Sequence, residues 1–363
     1  MILITTLALA VALQQPALPT DSTIRAFLVP RVEAFPDSGK HGTGMVIGLV
    51  DATGAGRVLG AGVDSAAVFE IGSITKVFTT SLLQDMIDRG EVRFDDPVAK
   101  FLPPAVKMPS RAERQITLLD LATQSSGLPR MPSNFTPRDS LNPYADYRVQ
   151  QMYTFLSGYQ LTRDPGVEYE YSNLGMGLLG HALALKARTG YEDLLKQRIL
   201  APLGLRETAI TLTPALRARL APGHSSEGRV VPNWDLPTLA GAGALRSTIN
   251  DMLTFIAANL DSTATPLSRA LRQTHAERRP TNNPSLKMGL GWHILARPVG
   301  STVCHNGGTG GYRTFAGFDP VRSLGVVVLS NLDASVDDIG YHVLDETFPL
   351  RPIPKRGVEI AVD

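Results

Sequence analysis

The chain has 363 residues, of which 43% are hydrophobic and 19% are charged, a composition that is ordinary for a globular protein with a sizeable core. Its 35 Lys and Arg residues balance 34 Asp and Glu residues, so the net charge of +1 provides no long-range field for nucleic acid or an anionic membrane. The composition therefore gives no reason to expect nucleic acid or an anionic membrane as a partner and favours a small, roughly neutral substrate.

Residues 1–19 are predicted to form a secretory signal peptide. Residues 2–13 are apolar, the following residues are polar and rich in proline, and Ala10-Val11-Ala12 offers a small-x-small cleavage pattern. The apolar run is shorter than the roughly 20 residues of a membrane-spanning helix. We therefore expect an exported protein, periplasmic or secreted, with no stable membrane insertion.

The first regular elements are predicted to be strands, followed by a helix. Residues 45–51 and 57–63 are two apolar runs joined by a turn that contains Gly54 and Gly56, a pattern typical of a β-hairpin. After Ser73 the apolar residues recur at helical spacing, and Gly90 is well placed to end that helix.

The middle of the chain is predicted to be mostly helical. Residues 174–186 and 191–199 indicate two helices, and Ser247 is the expected cap of a third. The stretches at 128–143 and 222–237 are longer than ordinary loops, and long ordered loops in a compact domain usually line a functional site.

Strand patterns return at residues 301–305, 312–318 and 324–330, before a helix at 336–346. The predicted fold class is therefore α/β (α+β), an antiparallel sheet from both ends of the chain, flanked by helices, with a helical insert. We expect the site in the crevice between two lobes. The predicted units are an α/β lobe at 24–75 and 286–347, a mostly helical lobe at 76–285, and a tail at 348–363.

Ser73 and Lys76 form an S-x-x-K pattern where a strand-like segment passes into a helix. Residues three apart share a helix face, so the amine is expected beside the hydroxyl. Free N–H groups at the helix start favour negative charge on that oxygen, which is the help a serine nucleophile needs. The structural alternative for this motif alone is an ordinary helix start.

Tyr171 and Asn173 lie on a loop that directly precedes a helix rich in small residues. A phenol can relay a proton if a neighbouring cation lowers its pKa, and an amide can orient both a lysine and a substrate carbonyl. An isolated Y-x-N pattern is also compatible with a surface turn.

His305, Gly307 and Gly308 lie where an apolar strand runs into a glycine-rich stretch. Glycines allow a backbone to approach a ligand closely, and such a strand edge can donate an N–H to an oxyanion and pair with an extended substrate. A glycine-rich hairpin with a surface histidine is the alternative.

Taken together, the ordered motifs S-x-x-K, Y-x-N and H-x-G resemble those of the class C β-lactamase and DD-peptidase superfamily, which includes penicillin-binding proteins and related esterases. The stretches ITLLDLATQSSGLP, GAGALRSTIND and GVVVLSN are similar to structural blocks of that family. The resemblance covers roughly residues 24 to 347. It implies a serine hydrolase that forms an acyl-enzyme and cleaves β-lactams or D-Ala-D-Ala-type peptides, without a cofactor.

The resemblance also implies a role for each residue. Ser73 is the expected nucleophile, Lys76 its base or proton shuttle, and Tyr171 the group that serves the leaving group. Asn173 is the expected orienting amide, and His305 and Gly307 are expected to line the substrate-binding edge. The backbone N–H groups of Ser73 and Gly308 are the expected oxyanion hole. Which of Lys76 and Tyr171 acts as the base is left open.

Two departures from the family pattern bear on the substrate. β-Lactamases of this class usually carry Lys at the position of His305, and histidine is cationic only at lower pH. Many also carry a glutamine after the Leu-Pro step, where this chain has Arg130. A carboxylesterase with the same residues therefore stays an alternative, as does a penicillin-binding or sensor protein that does not turn over. The remaining histidines lack metal-ligand spacing, so no metal is predicted.

Overall fold

A computed structural model of the chain describes residues 19–35, 42–263 and 265–353. The predicted signal peptide lies outside the described residues except for its last position, and so does the predicted tail beyond residue 353. Among the described residues, the helices are all too short or too polar to cross a bilayer.

The strands define one large sheet and three small ones. In chain order they are β1 (Met45–Asp51), β2 (Gly56–Ala61), β3 (Val68–Glu70), β4 (Ser110–Arg111), β5 (Arg114–Gln115), β6 (Gly223–His224), β7 (Val230–Val231), β8 (Arg246–Thr248), β9 (Arg279–Pro280), β10 (Leu286–Met288), β11 (His293–Ala296), β12 (Ser301–Gly308), β13 (Arg313–Asp319) and β14 (Leu324–Ser330).

The large sheet is antiparallel and has the order β2-β1-β14-β13-β12-β11-β10-β9. It joins the first hairpin to the last strands, because β1 pairs with β14 from Met45 opposite Ser330 to Asp51 opposite Leu324. The predicted antiparallel sheet from both ends of the chain is thus confirmed. The small sheets are β3-β8, β4-β5 and β6-β7.

Among the described residues, helices lie before, between and after the strands. They are α1 (Asp21–Glu33), α2 (Thr75–Asp88), α3 (Leu118–Ala122), α4 (Val149–Gly158), α5 (Asn173–Ala187), α6 (Tyr191–Leu195), α7 (Pro214–Ala218), α8 (Ala240–Gly243), α9 (Ile249–Leu260), α10 (Pro266–Thr274) and α11 (Asp337–Leu344). Short 3-10 turns occupy Gly72–Ile74 and Val98–Phe101, and a π-helical turn, Lys196–Leu200, follows α6.

Both faces of the large sheet are covered. Ile47 of β1 packs with α1 and α11 on one face, whereas Val46 packs with α9 and the larger core on the other. Neighbouring strand residues point to opposite faces, so a strand buried on both sides needs an unbroken apolar run. This explains why β1 and β14 lack polar alternation.

The structure differs from the sequence prediction at α9. The helix begins after Thr248, whose side chain accepts a hydrogen bond from the Asp251 amide, so Thr248 and not Ser247 is the cap. The Ser247 hydroxyl instead bonds Thr208 at 2.8 Å. The lobe boundaries at 75/76 and 285/286 stay a prediction. Within the predicted helical lobe, however, α9 packs directly on β1 and β14, and β9 belongs to the large sheet.

Candidate active site

Ser73 lies in the 3-10 turn Gly72–Ile74, between β3 and α2. Gly72 has a φ of +50°, and a Cβ at that position would lie 2.6 Å from the Gly308 backbone nitrogen. Glycine is therefore required where the turn meets β12. The Ser73 side chain is partly exposed next to this contact, which brings together the two backbone segments of the predicted oxyanion hole.

Lys76 lies in the first turn of α2 and is fully buried, with 0% of its surface exposed. Its Nζ lies 2.8 Å from Ser73 Oγ, 2.9 Å from Asn173 Oδ1 and 2.7 Å from the Ala242 carbonyl oxygen. Burial, assisted by the positive charge of Arg130, holds the pKa of Lys76 well below its ordinary value. The structure therefore favours a neutral amine.

A neutral amine fits this set of neighbours. It has two N–H groups and one lone pair, whereas the amide oxygen of Asn173 and the carbonyl of Ala242 can only accept. In the structure Lys76 Nζ also donates to Ser73 Oγ; once the amine is neutral, its two N–H groups match the two acceptors and its lone pair can face the Ser73 hydroxyl. Such a group can accept the proton of that hydroxyl.

The Tyr171 ring contacts the side chains of a lysine and an arginine. The distance from its centroid is 4.8 Å to Lys76 Nζ and 5.0 Å to Arg130 Cζ. Burial raises the pKa of Tyr171, although the nearby Ser73 side chain and the Arg130 charge act in the opposite direction. The phenol is thus protonated at neutral pH and able to donate.

Asn173 is held by the start of α5. Ser172 caps this helix by accepting a 2.8 Å hydrogen bond from the Gly175 amide, and the Asn173 backbone donates to the Arg130 carbonyl at 3.0 Å. The Asn173 side chain then donates through Nδ2 to the Tyr144 hydroxyl at 3.2 Å while Oδ1 accepts from Lys76. Asn173 therefore links the amine to the wall of the cleft.

The glycines at the end of β12 bring this strand against the Ser73 turn. A Cβ on Gly307 would lie 2.1 Å from the Ile71 carbonyl oxygen, and one on Gly308 would lie 2.3 Å from the Arg313 guanidinium. Neither position can hold a side chain without displacement of its neighbours. The predicted close approach of this glycine stretch to the site is therefore present in the backbone.

The side chain of His305 is buried. Its ring is 1% exposed and lies behind the site, 6.2 Å from the Tyr171 ring and 5.1 Å from the His293 ring, measured between centroids. Burial, with the nearby His293 and Lys76, holds the pKa of His305 well below its ordinary value. The imidazole is therefore neutral and enclosed, and the role of His305 at the substrate edge stays a prediction.

His305 belongs to a cluster of tilted and edge-on rings that the sequence did not reveal. Its Nδ1 lies 2.6 Å from the Asn306 carbonyl oxygen, and its Nε2 has no hydrogen-bond partner among the described residues. His293 hydrogen-bonds the Tyr169 hydroxyl at 3.2 Å, and burial lowers the pKa of His293 to about 4. These rings pack beside Tyr171 without adding a charge.

Further residues line the cleft, which has about 230 Å³ of empty volume. Trp234 comes from the predicted site-lining loop at 222–237, and Tyr144 directly follows the one at 128–143, so loop length was a usable signal for both. The carbonyl of Ala242 carries no sequence signal, because its role depends only on where α8 packs. The lining residues besides Ser73, Asn173 and Gly308 are Tyr144, Trp234, Leu236, Ala242, Gly243 and Thr309.

The thiol of Cys304 lies away from this cleft. Cys304 faces the opposite side of β12 from His305, where its Sγ lies 3.4 Å from the Tyr341 hydroxyl and burial raises the pKa of the thiol to about 12. Within the described ranges, no three His, Cys, Asp or Glu side chains are grouped as metal ligands would be.

The sequence of the chain is similar to those of known proteins. A family described as Beta-lactamase matches residues 37–345 of the chain. The chain is 29% identical over 277 residues to the D-alanyl-D-alanine-carboxypeptidase/endopeptidase AmpH of Escherichia coli (strain K12), covering 72% of this chain and 70% of that protein. It is 30% identical over 306 residues to a beta-lactamase of the same organism, covering 74% and 76% respectively.

Solved structures agree with this comparison at the level of the fold. A class C beta lactamase from Rhodobacter sphaeroides superposes with a TM-score of 0.73 at 23% identity, covering 88% of this chain and 99% of that one. A beta-lactamase/D-alanine carboxypeptidase from Yersinia pestis, complexed with citrate, gives a TM-score of 0.72 at 25% identity, covering 91% and 98%. The sheet and its flanking helices are thus shared with these enzymes.

Proposed function

Because the chain belongs to the β-lactamase family and is a serine hydrolase, we propose that it cleaves β-lactams or D-Ala-D-Ala-type peptides through an acyl-enzyme on Ser73. The observation that carries this proposal is the set of three contacts made by Lys76 Nζ. They place the amine within hydrogen-bond distance of the hydroxyl that must lose its proton.

In the proposed acylation, neutral Lys76 takes the proton of Ser73 as the oxygen attacks the substrate carbonyl. The negative charge that develops on the carbonyl oxygen is stabilised by the backbone N–H groups of Ser73 and Gly308. The lysine gains the charge that its burial disfavours, so the proton has a strong tendency to move on. Transfer to the leaving group relieves this cost.

Tyr171 is the proposed route for that second transfer. Its phenol is protonated, the Ser73 side chain is near enough to affect its pKa, and its ring centroid lies 4.8 Å from Lys76 Nζ. It can donate to the leaving nitrogen or oxygen while Lys76 replaces the proton. Deacylation uses the same groups in reverse, with water in place of the leaving group. This assigns the base role in the free enzyme to Lys76 and the acid role to Tyr171.

A carboxylesterase is the second candidate, and the state of His305 favours it. β-Lactams carry a carboxylate beside the scissile ring, and the strand that pairs with substrate offers a neutral, buried imidazole where a lysine would offer a charge. Simple esters need no such charge. The non-turning-over sensor is less well supported, because the groups needed for acylation and deacylation lie within one cluster.

The test is steady-state hydrolysis of a chromogenic cephalosporin and a short-chain 4-nitrophenyl ester, each compared with Ser73→Ala. Cephalosporin turnover that is lost in the variant supports the β-lactamase proposal, whereas turnover of the ester alone replaces it with the esterase. A covalent adduct that persists on Ser73 supports the sensor. Activity that survives in Ser73→Ala contradicts the assignment of the nucleophile.

Export is also proposed, on the pattern of residues 1–19. The expected outcome is that protein recovered from the periplasm or the medium lacks part or all of these residues, as read by N-terminal sequencing. Full-length protein found in the cytoplasm contradicts it. The proposed partner is the small-molecule substrate.

A further inference from the structure

The backbone of Trp234 is held by a buried ion pair. Glu70 of β3 lies opposite Arg246 of β8, and their side chains, 4% and 10% exposed, form an ion pair of 3.2 Å. Glu70 Oε1 also accepts a hydrogen bond from the Trp234 amide at 3.0 Å, and Arg246 Nη2 donates to the Trp234 carbonyl at 2.8 Å. Both backbone polar groups of Trp234 are therefore bound by the same ion pair.

The segment that contains Trp234 has no regular structure of its own. Residues 232–239, between β7 and α8, form neither helix nor strand. The next residue, Asp235, donates its amide to the Asn142 side chain at 2.9 Å, but this contact is exposed. Buried backbone groups outside helices and strands depend on other partners, side chains among them. The place of Trp234 is thus set by an ion pair whose two members belong to strands.

Trp234 forms part of the wall of the active-site cleft together with Tyr144. The centroids of the two rings are 5.3 Å apart. The Tyr144 hydroxyl accepts from Asn173 Nδ2 at 3.2 Å, and Asn173 Oδ1 accepts from Lys76 at 2.9 Å. A shift of Trp234 would therefore change the surface on which a substrate rests, while Lys76 stays in place on α2.

Stability alone does not explain the ion pair. Glu70 Oε2 is buried without a hydrogen-bond partner among the described residues, and burial raises the pKa of Glu70 although the charge of Arg246 opposes this shift. Charges taken out of water lose their hydration, and an apolar pair of similar size is often at least as stable. A charged pair, unlike two leucines, offers an acceptor and a donor to the Trp234 peptide.

We propose that Glu70 and Arg246 are positioning residues that hold Trp234 in the part of the cleft wall where a substrate binds. They act on the substrate through the tryptophan and not by contact with the reacting atoms. Their effect on catalysis rests on the proposed function of the Ser73 site, whereas the position of Trp234 can be measured without any substrate.

Acrylamide quenching of tryptophan fluorescence tests the position directly. The chain has 2 tryptophans, and the other one, Trp292, is 0% exposed. Trp292→Phe therefore leaves Trp234 as the single reporter. In that background, Glu70→Leu/Arg246→Leu removes the acceptor and the donor without leaving an unpaired buried charge. The quenching constant of Trp234 should rise at least about twofold, because a segment that has lost its contacts opens to solvent more often.

The matched control is a second buried ion pair, Arg31 with Asp338, whose side chains are 9% and 6% exposed. Asp338 also accepts a backbone amide, that of Arg351, at 2.7 Å. This pair lies on α1 and α11, which cover the face of the large sheet opposite the larger core. Arg31→Leu/Asp338→Leu should leave the quenching of Trp234 unchanged.

Hydrolysis of a 4-nitrophenyl ester, measured with Trp292 intact, tests the consequence. Glu70→Leu/Arg246→Leu should raise KM about tenfold and change kcat less than about threefold, because the binding wall moves while the proton-transfer groups do not. Arg246→Lys keeps a charge and a donor without the planar fork, so it should give an intermediate KM. The control pair should leave both constants near their wild-type values.

Unchanged quenching in the Glu70/Arg246 double variant overturns the proposal. A fall in kcat with unchanged KM also overturns it, since the pair would then act on Ser73 and not on the wall. If thermal unfolding shows that the double variant does not fold, Glu70→Gln takes its place, and wild-type quenching together with wild-type KM contradicts the proposal. If the wild type hydrolyses no ester through Ser73, the proposed function fails separately, and the quenching comparison alone decides whether the ion pair positions Trp234.

Discussion

A lysine and an arginine side chain contact the Tyr171 ring, but they differ in burial and in their hydrogen-bond partners. Lys76 is enclosed, with all of its Nζ neighbours supplied by the protein, whereas Arg130 is exposed and lacks an acidic partner among the described residues. Burial holds the pKa of Lys76 well below its ordinary value. Lys76 is therefore suited to accept a proton, whereas the Arg130 side chain faces solvent beside the same ring.

The largest expected effect comes from removing the enclosed amine. Lys76→Met has a similar length and no proton to accept or donate, so kcat/KM for ester hydrolysis should fall by about a thousandfold. The variant also leaves Asn173 Oδ1 without its donor, so thermal unfolding must be measured in parallel. A folded variant with near wild-type activity would remove Lys76 from the mechanism.

A negative charge placed beside the Lys76 amine should favour its charged form and so remove its difference in charge from Arg130. Asn173→Asp favours the charged form of Lys76 and raises its pKa, so the neutral amine is lost at neutral pH and returns only at higher pH. We expect about a hundredfold lower kcat/KM at pH 7 and a pH profile displaced to alkaline values. Asn282→Asp, on an exposed segment, is the control and should leave the profile unchanged. An unshifted profile in the Asn173 variant would mean that Lys76 does not limit the rate.

A smaller effect is expected at the wall of the cleft. Tyr144→Phe removes the hydroxyl that accepts from Asn173 Nδ2 and leaves the ring in place. The Asn173 amide is then less firmly oriented toward Lys76, and kcat should fall about threefold to tenfold. Tyr147→Phe, which loses a 3.2 Å hydrogen bond to Asn134 on the same side of the molecule, is a suitable comparison. Equal losses in both variants would argue against a specific role for Tyr144.

The smallest expected effect tests whether the charge of Arg130 influences the pKa of Lys76. The positive charge of Arg130 contributes to the low pKa of Lys76. Arg130→Gln should therefore raise the lower pH limit of neutral-ester hydrolysis slightly. A shift toward lower pH would contradict this coupling.

Much of the fold could be predicted from the sequence because the strands carry unusually clear patterns. The hairpin at β1 and β2, the strand β14 and the helix after Ser73 all lie where periodicity and glycine turns place them. The cap of α9 was misplaced by one residue, since Ser247 and Thr248 are chemically alike and only backbone geometry decides which of them caps.

The residues that belong to the site could be predicted from the sequence, but the burial of their side chains could not. The i, i+3 spacing puts Lys76 beside Ser73, but its burial depends on Ala242 and Asn173, which lie far away in the sequence. His305 was expected at the substrate edge. Strand alternation sets it opposite Cys304, but only the pairing of β11 with β12 puts His293 against its ring and encloses it.

The central claim is that Lys76 is a neutral amine in the free enzyme. It is tested most directly by an NMR titration of protein labelled with ¹³C at lysine Cε, with the Lys76 signal assigned by its absence from Lys76→Met. We expect a Lys76 signal whose titration midpoint lies well below the ordinary lysine value of about 10.4. A midpoint at or above that value would contradict the neutral state of Lys76 and leave Ser73 without the base proposed for it.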